Sequence, residues 1–239
     1  MPQNTLDQHI LSTYFTLRIG IAVIAIAFPF ILWIGGYLYA GLPLQHSMSA
    51  YYYASNDGKS LRDVFVGVLF AIGAFLYLYK GFSNKENVAL NIAGILAVGI
   101  AIFPTAWGCG DHCPKVTLHG ICAVGFFLSI TFVSVKCAPD TLGLIRDEKQ
   151  RAKFRMAYMG LAFAMLASPA VAYVLNVLMP QYEALVFYVE AVGIFAFAAY
   201  WLTKSRELSL TQAEERAVRG EVDKASITDP ESNRQAAAS

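Results

Sequence analysis

The sequence predicts an all-α protein, a polytopic membrane helix bundle of six transmembrane helices with both termini cytoplasmic. Three observations predict it. The 239 residues are 56% hydrophobic and only 15% charged, where a soluble domain carries about 25% charged residues. The charges gather in short blocks between long apolar runs. Those runs are 18 to 24 residues long, enough to cross a ~30 Å hydrocarbon core at 1.5 Å per residue. No water satisfies the backbone in lipid, so helices carry the crossing; β-barrel strands would be half as long and would alternate.

The six spans are 18–40, 62–80, 88–105, 116–136, 155–178 and 184–203. The first is too long for a signal peptide and lacks a small-x-small cleavage site, so it reads as an uncleaved helix. Pro29 and Pro169 fall inside spans and predict kinks. Gly67, Gly73, Ala74, Gly94, Gly99, Gly193 and Ala196 recur at close spacing, the pattern of tight helix packing. Residues 1–17 form an N-terminal cytoplasmic segment and 204–239 a polar cytoplasmic tail. Within the tail, "ELSLTQAEERAVRGEV" can form a short helix on the inner face, and "ASITDPESNRQAAAS" reads as disorder.

Basic residues set the orientation. Arg18 precedes the first span, Lys80 and Lys85 flank the second connector, and Lys204 and Arg206 follow the last span. The fourth connector with Arg155 holds five Lys/Arg. These places alternate as they must for a bacterial inner-membrane protein with its N- and C-termini inside. The expected partners are membrane lipids, with a protein partner or a homo-oligomer open. A net charge of +1 without a basic arm argues against nucleic acid.

On that map the first connector, "LQHSMSAYYYASNDGKSLRDVFVG", lies outside, as does "AWGCGDHCPK". Asp63 opens the second span, His119 is one turn into the fourth, and Glu190 is about 10 Å into the sixth. All three fall on the outer side. A charge in hydrocarbon costs at least ~2.5 kcal/mol and should face the bundle with a partner. They therefore predict an outward-facing polar pocket. His46, Ser47, Ser49, Tyr52, Arg62 and Asn176 are its candidate ligand-binding residues. Each member has a plain structural reading as well: Asp63 as a helix cap or a partner of Arg62, His119 as a satisfied buried histidine. The three consecutive tyrosines read first as an interfacial aromatic belt.

His119, Asp63 and Glu190, completed by His46 or His112, form a candidate metal set, with zinc the possible ion and a hydrolytic carboxylate the candidate catalytic base. No HExxH motif or paired CxxC accompanies them. Cys109 and Cys113 read as a structural disulfide in an oxidising compartment, with a metal contact and redox chemistry as alternatives.

The stretches "SMSAYYYASNDGKSLRDVFVGVLFAIGAFLYLYKG", "NIAGILAVGIAIFPT", "LHGICAVGFF" and "FYVEAVGIFAFAAYWLTK" resemble a family of uncharacterised bacterial integral membrane proteins over residues 44–204. A fainter similarity joins the chain to CREST-type intramembrane hydrolases such as alkaline ceramidases. That resemblance implies a zinc enzyme, with Ser49, Asp63 and His119 as the positions carried over. The chain lacks that family's late HxxxH pair and has six expected spans instead of seven. Three function classes stay open: a non-enzymatic sensor, assembly or binding protein, which the incomplete ligand set favours; a metal-dependent hydrolase of a lipid or amide; and a small-solute or proton-linked transporter.

Overall fold

The computed structural model describes residues 3–106, 108, 114, 116–178 and 184–219. Among them are eight α-helices: α1 (Gln3–Phe30), α2 (Gly36–Ala40), α3 (Arg62–Leu78), α4 (Asn84–Ile102), α5 (Leu118–Phe132), α6 (Glu148–Leu178), α7 (Leu185–Thr211) and α8 (Ala213–Val218). One short hairpin, β1 (Ser55–Asn56) with β2 (Lys59–Ser60), is the sheet among the described residues.

Apolar content and length put five helical segments within reach of a full membrane crossing: Leu6–Ala40, Asn84–Ile102, Leu118–Leu144, Glu148–Asn176 and Leu185–Thr211. The predicted second span, α3, has 17 residues, about 25 Å at the helical rise. The outer surface is what hydrocarbon would select. Leu38, Ile95, Phe163 and Leu178 point outward and are 61–76% exposed, large apolar side chains spread around the bundle as a hydrocarbon-facing surface requires.

Side-chain pairs fix the arrangement. Phe28 meets Phe65 and Tyr14 meets Tyr79, so α1 and α3 run antiparallel. Gly73 faces Val98 while Gly94 faces Tyr77, so α3 and α4 do as well. The same logic joins α4 to α5 through Gly99–Cys122 and Leu96–Gly125. Thr131–Ala162 and Ser134–Tyr158 join α5 to α6. Ser168 reaches both Val189 and Gly193 on α7. Phe30–Phe195 and Arg18–Ser205 then close α7 back onto α1. The result is a closed antiparallel ring of six helices in chain order. One end carries the 41–61 connector; the other carries α8 and is called the tail end below.

Several boundaries differ from expectation. Helix α1 begins at Gln3, well before residue 18. Leu6, Ile10, Tyr14 and Leu17 are spaced as one helical stripe, and Tyr14 sits edge-on to Tyr79 at 5.7 Å. The rod passes through Pro29, widens into a π turn at Ile31–Gly35, and continues as α2. Gly41 stops it at φ +60, its amide bonded to Tyr37 O. The basic fourth connector is largely ordered: Ala138–Leu144 is a 3-10 turn, and α6 starts at Glu148. Helix α7 runs to Thr211, two turns past the predicted end at 203, because Lys204, Ser205, Leu208 and Thr211 continue its buried face.

Helix α3 packs backbone to backbone against α4. A Cβ at Gly94 would lie 2.6 Å from Gly73 O, and one at Gly73 would lie 2.8 Å from Gly94 O. Gly67, by contrast, has open space within 4 Å. Gly94→Ala therefore lowers the melting temperature in detergent, at a cost of about 1–3 kcal/mol for an overpacked seam. Gly67→Ala leaves it unchanged or raises it. Thermal unfolding followed by circular dichroism measures both.

Candidate functional site

The first connector is a lid on the ring. The Ser47 hydroxyl accepts from the Ala50 amide at 3.2 Å and shares a 3.2 Å hydrogen bond with Ser49, starting a 3-10 turn over Ser49–Tyr52. Tyr51 is fully buried beside Phe187, and a Cβ on Gly36 would lie 2.8 Å from its ring. Burial raises the pKa of its hydroxyl, opposed by a bond from the Gln45 amide. Tyr52 is half-buried; it accepts from Arg62 Nη2 at 2.8 Å, with the guanidinium 4.5 Å from its ring centroid. Tyr51 is thus a plug and Tyr52 a cation–π partner. Asp57 and Gly58, both at positive φ, turn the hairpin that follows.

Of the predicted pocket residues, Glu190 and the His46 carbonyl tether this lid. Glu190, half-buried on α7, accepts from the Met48 amide at 2.6 Å. One helical turn away, the Phe187 amide donates to His46 O. His119 Nδ1 lies 3.1 Å from Ile100 O and 3.0 Å from Phe103 O. Both partners are acceptors, so Nδ1 carries the hydrogen and the ring satisfies carbonyls at the end of α4. Asp63 is exposed in the first turn of α3 and bonds to no described residue. Asn176, exposed in the last turn of α6, likewise bonds to none. No hydrogen bond or ion pair joins any two of Asp63, His119 and Glu190. Among the described residues no group of three His, Cys, Asp or Glu could hold a metal ion. The expected set His119, Asp63, Glu190 and His46 is not assembled, because each sits on a different element and His119 and Glu190 are committed to backbone groups. His112, Cys109 and Cys113 lie outside the described residues.

The tail end holds the polar chemistry instead. Lys204 Nζ donates to Thr141 Oγ1 at 2.7 Å, Glu207 Oε2 at 3.0 Å and Ala138 O at 3.4 Å. Glu207 also accepts from Thr141 at 2.5 Å and from the Tyr158 hydroxyl at 2.6 Å. Lys204 is 1% exposed and Glu207 0%. Next along α7, Ser205 accepts from Arg18 Nε at 3.1 Å. The Arg18 guanidinium grips both carboxylate oxygens of Glu214 on α8 and reaches the Tyr79 hydroxyl at 3.4 Å. Glu86, 2% exposed, accepts from the Phe82 amide at 2.8 Å while Ser83 caps α4 through the Glu86 amide. Lys204, Glu207 and Asp140 lie within its electrostatic reach. Phe82, Leu208 and Ala213 form a small apolar cluster that seats α8 beside these charges. The network therefore ties α1, α3, α4, α6, α7, α8 and the 138–144 turn together.

No protein-family model, curated protein or solved structure matches this chain. The site rests on its own geometry.

Two signals in the sequence mark this network. "SNKE" at 83–86 is a capping-box pattern opening an apolar run. Trp201, Lys204, Ser205, Leu208 and Thr211 follow one helical stripe. A lysine at the end of an apolar run predicts the end of the span at 203, although the stripe continues through it.

Lys204→Met leaves Glu207 buried without its cation, at a cost of about 3–5 kcal/mol. The double variant Lys204→Met/Glu207→Met recovers most of that loss. Melting in detergent checks the pair. At the other end, Glu190→Ala frees the Met48 amide at about 1.5–3 kcal/mol, and hydrogen exchange at residues 47–53 accelerates; Glu190→Gln, which keeps an acceptor, shows a smaller effect.

Proposed function

We propose that this chain is a six-span inner-membrane protein with both termini in the cytoplasm, acting as a non-enzymatic sensor. Its responsive element is the buried charged network, which on this orientation faces the cytoplasm. The Lys/Arg bias of the connectors at that end supports the orientation.

One observation carries the reading. The network sets two cations, Arg18 and Lys204, against three carboxylates, Glu86, Glu207 and Glu214. Ionisable groups inside a membrane bundle are costly and mark function by default. A change of one charge among them alters the energy that holds six helices and the 138–144 turn together. Glu214 is the reachable member, its side chain 20% exposed while Arg18 is 1% exposed. A proton or a competing ion arriving there weakens the grip on α8, and the rest of the network transmits the change along α7. This is a charge event biasing a packed element.

Trp201 reports on it. The indole is 1% exposed and packs edge-on against Tyr79 at 5.1 Å and Tyr200 at 5.4 Å. With Trp33 and Trp107 replaced by Phe, Trp201 emission changes with pH in lipid nanodiscs. Glu86→Gln and Glu214→Gln each remove or displace the transition. Emission that is flat across the range where the protein stays folded, or a transition that both variants leave as in wild type, overturns the reading.

A further inference from the structure

An open groove of about 590 Å³ runs between α4 and α5 at the tail end. Its walls are Val88 and Ile92 on one side and Leu128 and Phe132 on the other. These four are 42–57% exposed, so no described part of the chain fills the groove. Asn84 and Lys85 line its mouth. Lys136, exposed, follows Phe132 by about one turn on the neighbouring helix. None of the lining residues is acidic. Asp140, half-buried, is the carboxylate within electrostatic reach of Lys85.

The dimensions and the charge select the occupant. From Asn84 to Ile92 the groove follows α4 for about 12 Å, most of the depth of one leaflet in a ~30 Å hydrocarbon core. Its apolar walls suit an acyl chain. Its mouth lies where the helix begins, at head-group level, and offers two ammonium groups and an amide. A zwitterionic head group would bring its own cation against those lysines. A basic mouth on an apolar interhelical groove is the arrangement that recognises anionic lipid.

The geometry points to a binding site for one anionic phospholipid, its acyl chain between α4 and α5 and its phosphate against Lys85 and Lys136. The site is separate from the charged network, and its test does not depend on that network's role.

Native mass spectrometry of the full chain, purified in mild detergent and titrated with phosphatidylglycerol or phosphatidylcholine of matched chains, tests it. Wild type retains one phosphatidylglycerol about tenfold more strongly than phosphatidylcholine. Lys85→Gln/Lys136→Gln brings the two lipids to equal retention; both side chains are exposed, so the variant folds, as its unchanged elution and circular dichroism verify. Ser129→Phe, which places a ring in the groove, lowers retention of both lipids. Equal retention by wild type, or an unchanged preference in the double lysine variant, overturns the proposal. A dimer that excludes phosphatidylglycerol also overturns it and assigns the groove to a second copy of the chain.

Discussion

The contact on which the ring depends is the buried ion pair between Lys204 and Glu207. Two charges this far from water are unfavourable unless nearly every hydrogen-bonding site is used. Here the ammonium has three acceptors and the carboxylate three donors. Meeting that demand dictates much else. Thr141 must be presented by a 3-10 turn where a plain loop would serve the chain's path. Tyr158 must rise from α6 at the same level. Helix α7 must continue beyond residue 203 to bring both charges into place.

The two ends of the ring solve different problems. The connector end is closed by shape: Tyr51 fills the space that Gly36 leaves open, and single hydrogen bonds from Met48 and Phe187 tether the lid. The tail end is closed by charge, with α8 folded back after Gln212 in a left-handed turn so that Glu214 meets Arg18. A shape closure is held mainly by packing and, beyond the Glu190 tether, owes little to pH or salt. A charge closure responds to both wherever one of its members reaches water.

Much of the architecture was legible in the apolar runs, because a run of about 20 residues has few alternatives in lipid. The misreadings have a common cause. Composition marks where hydrocarbon ends, whereas helices end where their backbone loses partners. Residues 3–17 and 204–211 are polar enough to look like solvated segments, yet their apolar members keep helical phase and the chain stays wound. The site suffered from the same confusion. Depth along a span was readable for Asp63, His119 and Glu190, but direction around the helix was not, and direction decides whether groups meet. Glu190 and His119 turned to backbone groups beside them. The hairpin at Asp57-Gly58 and the cap at Ser83 were both spelled out locally and needed no tertiary knowledge.

The seam between α3 and α4 has a consequence for how the ring assembles. Its closest atoms, Gly73 O and Gly94 O against the opposing glycines, belong to backbone already ordered by the helices. Where glycine meets glycine no rotamer is frozen, whereas each aromatic side chain packed between the first helical rod and α7 gives up conformational entropy on docking. Five residues, Tyr79 to Ser83, connect the two helices, so loop closure adds little further cost. The helical hairpin α3–α4 therefore associates at small entropic expense and supplies a wall against which the later helices dock.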